Sequence, residues 1–180
     1  MKLTLESLYK DHDNLRRVLY LIEQLLIDIY RGSSKCYPML QRILAYIQEY
    51  PERVHHPAED AMFSVVLKSG VSDRQLREDI NTLIRDHSEI EEITRDAIAA
   101  VESMLASTNL ENTDVGTKLC ALLTRQRSHL LFEEMKIYPH IEEYLGSEDW
   151  GKISTLIPDQ EDPIFGEKVR KEYEYIFKAL

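Results

Sequence analysis

The chain has 180 residues, 43% of them hydrophobic and 30% charged, which sets the expectation of one globular domain of ordinary size with a sizeable core. A net charge of −10 excludes the basic footprint that nucleic acid or an anionic membrane surface requires. Two cysteines, Cys36 and Cys120, make no disulfide framework, no run of roughly 18 apolar residues exists to span a membrane, and the acidic start carries no signal-length apolar stretch, so a soluble cytoplasmic protein is expected.

Apolar residues spaced alternately by three and four predict a first helix from about Leu5 to Tyr30, with Leu5, Leu8, His12, Leu15, Leu19, Ile22, Leu26 and Ile29 on one inward stripe. Gly32 with Ser33 and Ser34 ends it. A second helical stretch covers about Tyr37 to Lys68. Pro51 and Pro57 interrupt it, and a bend or a break and restart is expected between Tyr50 and Ala58. His55 and Glu59 are four residues apart and share a face if the helix continues. His56 points about 100° away in a regular helix. It is expected to support the site or lie at the surface, the alternative being a ligand that replaces or joins His55 and pairs with Asp60.

A third helix is predicted from about Ser72 to Leu105, opened by a capping box of Ser72 and Gln75, with His87 on its inward stripe. Glu91, four residues on, is a possible further donor, but with Glu89 and Glu92 it reads better as a solvated face. The fourth helix runs from about Thr113 to Leu145, with Gln126, His129, Glu133 and Ile137 inward and a kink at Pro139. Burying Glu133 without compensation costs several kcal/mol. A cation compensates it most economically, and Arg85 or Arg125 is the alternative partner. His140 falls outside the layer. The tail from Ser147 to Leu180 reads as one short helix and a last one near Glu167–Ala179, packed by Trp150, Phe165, Tyr173 and Phe177, covering a bundle end or making a homodimer contact.

These predictions define an all-α, up-down-up-down four-helix bundle over residues 1–146 with a helical extension over 147–180. In antiparallel neighbours, two residues lie level when the midpoint of their numbers falls in the connecting loop. The midpoint of His12 and His55 falls between Ser33 and Ser34. That of the His55/Glu59 pair and His87 falls at Ser72, and that of His87 and the His129/Glu133 pair at Asn109, within the turn-forming stretch Ser107–Asn112. One layer therefore collects His12, His55, Glu59, His87, His129 and Glu133. Any one of these histidines alone on an apolar face is more often a satisfied core residue. Four imidazoles and two carboxylates at one height point instead to a metal site. Without a thiolate, an iron–sulfur cluster or thiolate zinc is disfavoured, six mixed donors exceed one tetrahedral zinc, and the set is too nitrogen-rich for calcium or magnesium. Two iron ions bridged by the carboxylates suit the count. The order His-x-x-x-Glu differs from the Glu-x-x-His of ferritin-like di-iron proteins.

The ordered set of His12, His55-x-x-x-Glu59, His87 and His129-x-x-x-Glu133 resembles the hemerythrin-like, or HHE cation-binding, family over roughly residues 1–145. His55-His56-Pro57-Ala58-Glu59-Asp60 is similar to the family's His-His-Pro-x-Glu-Asp variant, and Glu133-Glu134-Met135-Lys136-Ile137-Tyr138-Pro139 to its Glu-Glu-x-x-Leu-Phe-Pro ending. The resemblance implies a non-haem di-iron centre with Glu59 and Glu133 bridging and the histidines terminal. Oxygen-carrying hemerythrins have a second third-helix histidine where this chain has Glu91, so one iron is left more open or is completed by Glu91, His56 or water. The implied function is binding or sensing dioxygen, peroxide or nitric oxide, or storing and donating iron. A peroxidase-like or oxidase enzyme, with Tyr138 as the nearby proton donor, is the alternative, and a metal-free helical interaction module is the third reading.

Overall fold

The computed structural model describes residues 3–106, 113–157 and 160–180. It is an all-α bundle. Helix α1 (Leu5–Tyr30) is followed by α2 (Tyr37–Glu49), which passes through a π-turn (Pro51–His55) into α3 (His56–Lys68). Next come α4 (Arg74–Ala106) and α5 (Thr113–Phe132), the latter passing through a second π-turn (Glu133–Ile137) into α6 (Tyr138–Tyr144). The tail adds α7 (Ser147–Ser154), a 3-10 turn (Lys171–Tyr173) and α8 (Glu174–Phe177). Among the described residues there is no strand, and no helix is long and apolar enough to cross a membrane. The predicted turn over 107–112, with its midpoint Asn109, lies outside the described residues.

Local chemistry sets the helix ends. Thr4 and Ser7 form a reciprocal capping box on α1, each side chain accepting the other's backbone N–H. Gly32, at φ +82°, lets the amides of Gly32 and Ser33 turn back onto Ile29 and Asp28. The α4 cap is Asp73 and not Ser72: its Oδ1 accepts from the amides of Gln75 and Leu76 at 2.8 and 3.1 Å. A carboxylate outcompetes the neighbouring hydroxyl for these amides because it is ionised and sits at the positive end of the helix dipole.

Cross-helix pairs fix how the rods run. Between α1 and the α5 rod, Arg16 meets Glu134, Glu23 meets Arg127 and Tyr30 meets Cys120, so these two are antiparallel. Between α4 and α5, Asp86 meets Arg125 and Asp96 meets Lys118, again antiparallel. The apolar core is in two parts. One gathers Leu15, Leu19, Leu44, Val54, Ala97 and Leu130, and the other Leu8, Met62, Phe63, Leu83, Ile137 and Ile141. On every rod the histidines stand in the gap between the two, which is why they share one level.

The tail departs from its expected form. The last helix is only α8, because Gly166 turns back onto the Asp162 carbonyl and the Arg170 amide onto that of Pro163, leaving the preceding segment irregular. Phe177 is exposed, and Ile164 and Ile176 are the buried anchors beside Tyr173. The Arg170 guanidinium and the Tyr173 hydroxyl both reach Glu49 at the end of α2, and Asp162 accepts from the Tyr46 hydroxyl at 2.9 Å.

The first π-turn buries Glu52, whose Oε1 has no hydrogen-bond partner. Burial raises its carboxyl from 4.5 to about 7, with Thr94 acting in the opposite direction. A carboxyl raised in the folded state binds its proton more tightly there than in the unfolded chain, so stability falls as pH rises between those two values. Glu52→Gln removes this dependence. Urea unfolding of the metal-free protein is expected to show the variant more stable above pH 7 by at most about 3 kcal/mol, a margin that shrinks towards pH 4.5.

Candidate metal centre

Each rod brings its donors to the gap between the two apolar clusters. His12 comes from α1, His55 from the first π-turn, Glu59 from α3, His87 from α4, His129 from α5 and Glu133 from the second π-turn, and all are buried. Glu59 lies 3.5 Å from His12 Nε2, 3.4 Å from His55 Nε2 and 3.5 Å from His87 Nε2. Glu133 lies 3.3 Å from the Nε2 atoms of both His12 and His129 and 3.7 Å from that of His87. Each carboxylate thus faces histidines from opposite sides of the bundle. Arg125 pairs with Asp86 and Glu89, and Arg85 with Thr82, so neither compensates Glu133. Glu91 is exposed beside Arg95, and His140 is exposed beside Glu143.

Acids outside the cluster hold the imidazoles by their far nitrogens. Nδ1 of His12 meets Glu134 at 2.9 Å, that of His55 meets Asp11 at 3.3 Å, and that of His87 meets Asp60 at 2.9 Å. Asp86 lies 3.9 Å from Nδ1 of His129. The first three contacts are hydrogen bonds and fix their rings so that Nε2 points inward, the usual arrangement around a metal. Tyr138, the residue after the second π-turn, donates its hydroxyl proton to Glu59 Oε1 and lies 3.0 Å from His12 Nε2.

His56 is neither a surface residue nor a partner of Asp60, which is engaged with His87. It is buried with its ring stacked on His87 at 4.2 Å between centroids. The π-turn accounts for this. Pro57 has no N–H to donate and would crowd the carbonyl four residues back in a continuous α-helix. Widening the preceding turn ends that ladder, and Pro57 falls in the first turn of the restarted helix, where its missing donor is harmless. A wider turn also rotates successive residues by less than the roughly 100° of an α-helix, so His55 and His56 both face the interior. The expected kink at Pro139 is met in the same way by the second π-turn.

The charge states follow from the packing. Burial opposes charge on His12 and His87, yet their carboxylate contacts hold both well above the ordinary imidazole value. Burial likewise opposes ionisation of Glu59 and Glu133, and the surrounding histidines still keep both below the usual carboxylate range. His56 goes the other way: burial and then the neighbouring His87 and His129 push it well down, leaving it neutral. Burial, followed by the charges of Glu59 and Glu133, raises Tyr138 well above its ordinary value, so it stays a donor.

Eight buried nitrogen and oxygen atoms of the cluster have no hydrogen-bond partner: both nitrogens of His56 and His129, Nε2 of His87, Oε2 of Glu59 and both oxygens of Glu133. Each such atom costs about 1–3 kcal/mol, and cations coordinated by those that face the layer remove most of the deficit. The donors fall into a group of His12, His55 and Glu59 and a group of Glu59, His87, His129 and Glu133, each within 4.8 Å, with Glu59 common to both. The residues present fit a bound metal.

The hemerythrin HHE cation binding domain matches residues 3–141. The chain belongs to this family. No curated protein and no solved structure matches it significantly. Cation binding is therefore the property that the family and this HHE domain's geometry have in common. Sequence reasoning missed the roles of the acids Asp11, Asp86 and Glu134, and it paired Asp60 with His56 where the structure pairs it with His87. Their signal was there to read, since each directly adjoins His12, Glu59, His87 or Glu133.

Elemental analysis of purified variants should find metal lost in His129→Ala and Glu133→Ala and kept in His140→Ala. Equal content in all three would refute the assignment. Asp60→Ala, which frees the His87 ring, is expected to weaken metal binding by about 10- to 100-fold.

Proposed function

We propose that this HHE domain holds two iron ions bridged by Glu59 and Glu133, with His12 and His55 on one and His87 and His129 on the other, and that it binds or senses dioxygen, peroxide or nitric oxide. The observation that carries this reading is the sharing of Glu59 between two buried donor groups. The mixed nitrogen and oxygen donors, without thiolate, are compatible with iron. When bound, such a pair supplies two electrons and a place for a small oxidant.

The chain's own residues do the rest. The two apolar clusters keep bulk water from the layer, and Glu134, Asp11 and Asp60 orient the imidazoles. A cavity of about 40 Å³, lined by Leu8, Asp11, Tyr50, His55 and Ala58 among others, approaches from the His55 side. Free Cys36 and Cys120 accord with a reducing cytoplasm.

Protein purified without added metal is expected to carry about two irons per chain and to scatter anomalously at the iron edge. Mixed in stopped flow with oxygen or peroxide, the reduced protein should consume close to one equivalent per site. Sustained consumption of many equivalents favours the second reading, a peroxidase-like enzyme, for which the Tyr138 hydroxyl on Glu59 supplies the buried proton donor. Tyr138→Phe should keep its iron, and under that second reading it should slow turnover by about 100-fold.

A further inference from the structure

We propose that His56 is a fifth histidine ligand, completing the ion held by His87 and His129; this deepens the metal-pair reading above and rests on it. Three observations carry it. His56 is buried, 2% exposed, with neither ring nitrogen bonded to anything, an expensive state for an imidazole that merely fills space. Its ring lies among the other donors, with centroids 4.2 Å from that of His87 and 5.6 Å from that of His129, and because an imidazole binds an ion in its own plane, His56 must tilt out of its parallel stack on His87 when the ion binds. One nitrogen from each of His56, His87 and His129 falls within a single 4.8 Å group.

Glu91 is the competing donor, and it is turned away. Its side chain is 43% exposed and reaches towards Arg95. The nitrogen that third-helix geometry leaves out is supplied from the next rod, by a residue that the first π-turn swings inward. The two ions then differ in character, with the imidazoles of His12 and His55 on one, those of His56, His87 and His129 on the other, and the carboxylates between them.

The experiment is an anaerobic titration of the metal-free protein with Co²⁺, followed by visible absorption and calorimetry, on the full chain and on His56→Ala, His56→Gln and Glu91→Ala. The parent should take up about two ions. Both His56 variants should keep their helical circular dichroism and bind one ion at parental affinity, with the second weakened by about 100-fold, as much as or more than loss of a hydrogen-bond partner gives. Added imidazole should restore the second ion's absorption in His56→Ala, which a packing role would not allow, and Glu91→Ala should match the parent. Two ions bound at parental affinity with an unchanged spectrum in both His56 variants would overturn the ligand assignment while leaving the metal pair intact. Fewer than two ions bound by the parent would overturn the pair itself.

Discussion

Two carboxylates buried between two apolar clusters are the constraint that the rest of this bundle answers. Glu59 and Glu133 are fully enclosed, and charge in such a place costs several kcal/mol unless it is met from all sides. Here no arginine meets it. The partners are imidazoles on Nε2, of which His12 and His87 are held in the charged form, and one phenol, and together they still leave eight polar atoms without hydrogen bonds. Apolar packing above and below must carry this deficit until cations remove it. That explains why the core is split in two and why the layer sits between well-filled halves.

The two π-turns solve the problem of crowding so many donors onto one level. A regular α-helix presents a residue to a given direction only every third or fourth position. Between Pro51 and Glu59 the chain delivers three inward donors, His55, His56 and Glu59, because the wider turn brings adjacent side chains to the same side. The second π-turn begins at Glu133 and ends just before Tyr138, so that one carboxylate and one phenol from a six-residue stretch both reach the layer. In both places a proline follows one residue after the turn, at Pro57 and Pro139. The prolines are compatible with continuous rods because the turn has already broken the hydrogen-bond ladder that they would have spoiled.

What could be read from the sequence was whatever depends on helical period. Stripes of three and four found the rods, and the midpoints of His12 with His55 and of His55/Glu59 with His87 identified residues that do converge. What could not be read depended on departures from that period or on competition between neighbours. His56 was assigned a direction from α-helical geometry that the π-turn does not obey. Ser72 looked like a cap until Asp73, a stronger acceptor beside it, took the amides. Phe177 looked like an anchor because it is large and apolar, yet the irregular chain from Asp162 to Arg170 sets the register of α8 so that Ile176 points inward.

The outer acids show a regularity that ties these pieces together. Asp11 of α1 faces His55 on the next rod, Asp60 of α3 faces His87 on the next, Asp86 of α4 faces His129 on the next, and Glu134 returns to His12. The circuit closes around the bundle. Each acid is the sequence neighbour of a donor on its own rod, so a helix that rotates to bring its donor inward also carries its acid to the flank, against the adjoining histidine. Orientation of one imidazole is thereby coupled to the rotation of the rod beside it, and all four rods must be in register for the whole circuit to form. His56 stands outside this circuit, with stacking on His87 and no acid on either nitrogen. An imidazole so placed is held by its neighbour's ring and by the turn beneath it, which leaves both of its ring nitrogens, one a donor and one an acceptor, uncommitted to protein partners.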